Sequence, residues 1–289
     1  MEISPADKIK YRDLLLQTYK AFAKFCFDNG ISFCAAGGTM IGAVRHQGFI
    51  PWDDDVDVYM KRKDYDKFIS RRELLAKTNY EIIDSNNEGY YCAMAKFSHR
   101  HSTIWEFQSI PCLLGAYIDV FVLDYEDGTR DEVIRKRLNF ARKVDFFYVC
   151  SNNHPMKEIF KQIQHGNLKK SLWYVFQKFF FRIIHQILKK YIIIYSKKKQ
   201  GEWLVAYTGT SREKDIFRAE WFAESVSFPF EDTWIYVPSG YDEFLTAMFG
   251  NYMNYPPVEE QTSHHALFYY NLDRRISKSE IDQIQIDEI

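Results

Sequence analysis

Residues 37–59 read GGTMIGAVRHQGFIPWDDDVDVY, and the last five of them decide the fold. Asp55 and Asp57 alternate with Val56 and Val58. On a β-strand that period sends both carboxylates to one face and both valines to the other, into a core. Like charges one pleat apart repel, and hard oxygen donors suit a divalent cation such as Mg²⁺ or Mn²⁺ far better than Zn²⁺. Asp119, in the run Tyr117-Ile118-Asp119-Val120-Phe121, is an acid inside an otherwise apolar strand, where an isolated charge is costly. It is the natural third member of such a site. Gly37, Gly38 and Thr39 form a turn that removes side-chain bulk and offers backbone and hydroxyl donors where a helix begins, a geometry suited to phosphate oxygens. Taken alone, each feature has a plain alternative: a solvated acidic turn, and a tight strand-to-helix connection.

Working outward, residues 4–28 open with Ser-Pro and place Leu15, Tyr19, Phe22, Phe25 and Cys26 at helical spacing before Asn29-Gly30 ends the pattern. Residues 31–34 read as a short strand, 40–46 as helical, 56–60 as a strand and 64–76 as helical again. Residues 80–83, 90–97, 102–107 and 116–122 are strand candidates, which predicts a sheet complete by about Leu123. A long helix is expected over 132–150. These elements read as an α/β or α+β sheet flanked by helices with an α-helical insertion, and α+β with a mixed sheet is the class expected. The organisation expected is a catalytic core at 1–130, a helical basic segment at 131–200, a part completing the core at 201–276 and a polar tail at 277–289.

Composition narrows the function classes. The chain has 289 residues with 38 Lys and Arg against 39 Asp and Glu, so it is no electrostatic glove for nucleic acid. Charge is nevertheless partitioned. Residues 156–199 carry eleven Lys or Arg and one acid, Glu158, which leaves the remainder at minus eleven. The same stretch is rich in Phe, Ile, Trp and Tyr, too often interrupted to span a bilayer; it reads either as a subdomain with a solvated basic face or as a surface lying on an anionic membrane. Five cysteines without a Cys-x-x-Cys pair suggest buried thiols. The opening MEISPADKIK lacks a secretory pattern, so a cytoplasmic protein, peripheral at most to the inner face of the plasma membrane, is expected.

The run from Gly37 through Phe68 resembles the signature of the LicD family, the phosphocholine-transferase-like proteins that include the fukutin-related transferases. Tyr117 to Asp124 resembles the family's Ile-Asp-hydrophobic-Phe-x-Leu-Asp block, and Phe249-Gly250-Asn251-Tyr252-Met253 followed by Pro256-Pro257 and His264 resembles its C-terminal block. The resemblance spans residues 17–265 and implies a nucleotidyltransferase-like fold. It implies a Mg²⁺- or Mn²⁺-dependent phosphotransferase whose donor is a CDP-alcohol, CDP-choline first among them. The acceptor implied is a sugar hydroxyl of a cell-surface glycan, such as lipopolysaccharide, capsule or teichoic acid, displayed in lipid-linked form.

Asp55 and Asp57 are then the expected metal ligands, and Asp119 a ligand, a base or both. Arg45 and His46, one helical turn beyond the glycines, are candidates to reach donor phosphates, with Lys96 as a second clamp and His264 returning to the site. Trp52 is a candidate to stack on a base or a trimethylammonium group. Two further readings fit the same acids: a nucleotidyltransferase making a CDP-alcohol from CTP, and a non-catalytic glycan-binding protein.

Overall fold

The computed structural model describes residues 4–87, 89–90, 92, 94–106, 112–150, 154, 156–193, 198–209, 212–262 and 267–287. The chain runs α1 (Pro5–Asp28), β1 (Cys34–Ala35), α2 (Gly37–Ile41), β2 (Asp57–Lys61), α3 (Arg62–Ser70), β3 (Tyr80–Ile83), β4 (Ala95–His99), β5 (Thr103–Trp105) and β6 (Tyr117–Glu126). Three helices follow, α4 (Arg130–Cys150), α5 (Met156–Gln164) and α6 (Leu168–Ile193). The chain then returns as β7 (Trp203–Val205), β8 (Ile216–Arg218), β9 (Ser225–Phe230), β10 (Thr233–Pro238), α7 (Tyr241–Phe249), β11 (Tyr269–Asn271) and α8 (Lys278–Asp287).

Seven strands form one mixed sheet in the order β1-β2-β6-β4-β3, with β7 on β6 and β8 on β7. The fold is α+β, as expected. Ten-residue β6 is its axis. It pairs in parallel with β2, Asp57 opposite Asp119 and Lys61 opposite Leu123, and antiparallel with β4, Lys96 opposite Asp119. Directly paired residues share a face of a sheet. Asp57, Asp119 and Lys96 therefore stand in one row across three strands, while Val56, Val58, Phe97 and Val120 go into the core with no exposed surface.

The two faces are closed by aromatic side chains. On the face away from the acids, Phe22 of α1 meets Phe33, Phe68 and Phe97 at 4.9, 5.8 and 5.6 Å, so that α1 and α3 seal the sheet. Leu15, Tyr19, Phe22, Phe25 and Cys26 are all buried, which is the stripe the helical period predicts. On the acid-bearing face, Tyr59 lies 5.6 to 6.2 Å from Phe217, Phe222 and Phe244, joining β2 to β8 and α7. Cys26, Cys34 and Cys112 are free and buried, in line with the thiol reading.

Two expectations are corrected. The sheet is not complete by Leu123: β6 runs on to Glu126, and β7 and β8 join it after the helical insertion. Three-residue strands leave too short a pattern to read, but Gly201 carries a trace of the return, because a Cβ there would stand 2.5 Å from the Glu126 carbonyl oxygen. The segment from Ser277 is not a loose tail. It forms α8, whose Ile281 is buried with Ile276 and Trp105. Its start is a capping box: Ser277 N donates to Glu280 Oε2 at 2.7 Å, and Glu280 N donates to Ser277 Oγ at 3.3 Å. The strand expected at 90–97 is found at Ala95–His99, the helix expected at 40–46 begins at Gly37 and ends in a π-helical turn, and β9, β10, α7 and β11 have no counterpart among the expected elements.

Glu280 also pairs with Arg274 at 2.6 Å, and that contact together with the cap lowers its carboxyl from 4.5 to about 2. A carboxyl depressed on folding stabilises above its unfolded value and ceases to do so as pH falls through the folded one. Protection factors of the α8 amides, which remove the intrinsic pH dependence of exchange, are expected to fall between about pH 4.5 and 2 in the wild type, and to be lower at pH 5 and flat over that window in Glu280→Gln.

Candidate active site

The acids sit where the 37–59 run folds back on itself. Ala36 N donates to Asp57 O, Asp57 N donates to Thr39 Oγ1 at 2.8 Å, and Asp119 N donates to Val56 O at 2.9 Å. Thr39 thus ties α2 to the start of β2. The glycines make the room: Gly37 adopts φ +45°, and a Cβ on it would lie 3.7 Å from Asp57 Oδ2. A Cβ on Gly38 would stand 2.5 Å from Asp53 Oδ2, an overlap that rules out a side chain unless Asp53 moves. The Gly-Gly pair is therefore an admission gap for carboxylates.

Electrostatics follow from the crowding. Burial, then Asp55, Asp119 and Asp53, push the Asp57 carboxyl well above the usual range, against the pull of Lys96. Lys96 is itself buried, with its Nζ 2.7 Å from Asp119 Oδ1, 3.9 Å from Glu106 and 3.5 Å from the Tyr117 ring centroid. Burial alone would draw the Lys96 ammonium down, but Asp119, Cys92 and Asp57 together outweigh it and the net shift is upward. The Tyr117 hydroxyl donates to Glu106 Oε1. Lys96 and Asp119 thus form a buried ion pair through Asp119 Oδ1.

Among the described residues no group of three His, Cys, Asp or Glu side chains is placed to hold a metal ion. Asp119 is drawn instead to Lys96. The candidate donors are carboxylate oxygens, the chemistry that suits a hard divalent cation, and Asp57 is crowded by three other acids.

Arg45, His46 and Trp52 form a second cluster with Tyr255. Arg45 Nη1 donates to Tyr252 O at 2.5 Å and to Asn254 O at 2.9 Å, its Nε donates to His46 Nε2 at 2.9 Å, and its Cζ lies 4.9 Å above the Tyr255 ring. In this structure Arg45 is a staple for the 252–255 loop. His46 is lowered by burial and by Arg45, consistent with a neutral ring that accepts at Nε2. Trp52 lies 6.2 Å from His46 and 6.0 Å from Tyr255. Arg12 of α1 fixes the approach to the acids, Nη2 donating to Ile50 O, Pro51 O and Asp53 O, while Glu231 accepts from Phe49 N at 2.9 Å. His264 lies outside the described residues.

Asp53, Glu106, Tyr117, Tyr255 and Arg12 are the participants that sequence reasoning missed. Tyr117 was within reach of it, since it alternates with Asp119 along one strand. Tyr255 stands directly before the Pro-Pro turn. Glu106 and Arg12 carry no local signal, because both arrive through tertiary contacts.

Comparison with known proteins bears on this geometry. The family described as LicD/FKTN/FKRP, nucleotidyltransferase domain, matches residues 30–146, which include all of the acids and Lys96. The lipopolysaccharide cholinephosphotransferase LicD of Haemophilus influenzae is 30% identical over 251 residues, 84% of this chain and 90% of that protein. Uncharacterized proteins of Rickettsia typhi and Rickettsia prowazekii are each 37% identical over 62 residues, 22% of this chain and 19% and 22% of theirs.

Removing Lys96 strands the buried Asp119 carboxylate beside Asp57. Lys96→Met is expected to lower the urea unfolding free energy by about 3–5 kcal/mol, the range for a broken buried pair. Adding Asp119→Asn should recover most of that loss.

Proposed function

The chain belongs to the LicD family, and from that premise we propose that it is a phosphotransferase moving phosphocholine from CDP-choline to a sugar hydroxyl of a cell-surface glycan, with release of CMP. The observation that carries this reading is the row Asp57, Asp119, Lys96 set beside the Gly37-Gly38 gap. Membership in the family, and a cholinephosphotransferase relative covered over 90% of its length, supports the reaction class.

Asp55 and Asp57, with Asp119 beside them, are the residues that would hold Mg²⁺ or Mn²⁺. Such an ion supplies charge neutralisation for the donor's pyrophosphate and for the oxygen that leaves. The chain's own groups do the rest. Asp119 takes the proton of the acceptor hydroxyl, and Lys96, paired with its Oδ1 at 2.7 Å, counters the charge of the carboxylate. The acceptor oxygen forms its bond to the phosphorus bearing choline as the bond from that phosphorus to the CMP oxygen breaks. Gly37, Gly38 and Thr39 border the space for the phosphates. Arg45 and His46 order the 252–255 loop over the site, and the ring of Trp52 is suited to the trimethylammonium group by cation–π attraction. His264 belongs to the C-terminal block and is assigned to substrate contact on the family pattern.

The test is a purified glycan acceptor incubated with the chain, CDP-choline and Mg²⁺. One phosphocholine should be added by mass, CMP should appear in the phosphorus NMR spectrum, and a chelator should stop both. Asp57→Asn is expected to lower turnover at least about 100-fold with circular dichroism unchanged. Pyrophosphate as the product, or full activity in Asp57→Asn, would contradict the proposal.

A further inference from the structure

The helical insertion leaves a continuous apolar stripe exposed. Along α6, Leu168, Leu172, Phe176, Phe179, Ile183 and Ile187 are all exposed, Phe179 to 80%. At 100° per residue these six fall within an arc of about 100°, and exposed Trp173 and Phe180 widen it to about 140°. The buried positions described on α6, Ser171 and Gln177, lie on the opposite side, where Tyr174 and Val175 are half-buried. Shorter α5 likewise exposes Met156, Phe160 and Ile163 at i, i+4 and i+7, beside Ile159, which is buried at the edge of the same face. Surface helices ordinarily show the reverse arrangement. No helix among the described residues is long and apolar enough to cross a membrane.

Charge selects what covers this face. The segment 156–199 has a surplus of ten positive charges, with Lys157, Lys161, Lys169 and Lys170 exposed around the apolar stripe. A second copy docked on the same face would bring two such surpluses together. Anionic headgroups over acyl chains complement both features at once, since lysine stems lie along apolar surface while their ammonium groups reach the phosphates. We propose that α5 and α6 form a docking face that lies in the interfacial plane of an anionic lipid bilayer, with the Phe-, Ile- and Leu-rich stripe toward the acyl chains. The face is separate from the acid row, so its occupant is independent of the transfer chemistry.

The experiment is flotation of the full chain with vesicles of phosphatidylglycerol and phosphatidylcholine, against vesicles of phosphatidylcholine alone. The wild type should float with the anionic vesicles and not with the neutral ones, and added salt should release it. Phe179→Asp with Ile183→Asp, both at exposed positions, should lower binding at least tenfold, to order of magnitude, with an unchanged melting temperature. Lys169→Gln with Lys170→Gln should weaken it by about fivefold per charge removed. No binding by the wild type, or binding untouched by the aspartates, would overturn the proposal. So would a wild-type dimer that the aspartates split, since a second copy would then hold the face. Because flotation needs no turnover, a failure of the transferase reading would leave this result interpretable.

Discussion

Everything at the centre of this molecule depends on the parallel register of β2 and β6, which sets Asp57 directly beside Asp119. Paired residues on neighbouring strands lie about 5 Å apart. At that spacing two negative charges repel by about 3 kcal/mol at the effective dielectric of a protein. The strands hold the acids together regardless, because Val56, Val58 and Val120 are fully buried on the other face and a slip of one residue would turn every side chain over. Apolar burial thus enforces an electrostatic conflict. Lys96, presented by β4 in the same row, relieves part of it from one side. What remains is a surplus of negative charge around Asp57, shared with Asp53 and Asp55, at the margin of a glycine gap.

The surrounding structure keeps that conflict in place. α1 reaches the acidic turn through Arg12 and closes the opposite face of the sheet through Phe22, so one helix both seals the core and positions the loop. Arg45 ties the loop after α2 to the 252–255 stretch, some two hundred residues later in the chain. The helical insertion is anchored by α4, whose Val133, Phe140 and Val144 share a small core with Trp203, Val205, Tyr207 and Ile216 of the returning strands and their loops. An insertion rooted in this way is free to turn the apolar side of α6 outward.

Much of the fold was legible because its signals are periodic and local. The alternation of Asp55 to Val58 and the stripe of α1 follow from side-chain geometry alone, and Asp119 drew notice as a charge in an apolar run. The later strands were not legible, since β7 and β8 have three residues each and owe their existence to the open edge of β6. The start of α8 had a readable sign in Ser277 and Glu280, which the polar composition of the segment masked. Arg45 shows the limit of reasoning from residue type. A guanidinium near a glycine turn suggests phosphate, yet the carbonyls of Tyr252 and Asn254, invisible in the linear sequence, engage it. Lys96 shows the same limit in reverse, for its acid partner became evident only through the register of β4 on β6.

The central claim is that the crowded carboxylates at the start of β2 are built to share a divalent cation. Anomalous diffraction from crystals soaked in Mn²⁺ tests it without reference to turnover. The account predicts a peak within coordinating reach of Asp55 and Asp57, on the Asp119 side of β2, that disappears in Asp57→Asn. A map without that peak, or with manganese only at other acids, would contradict it.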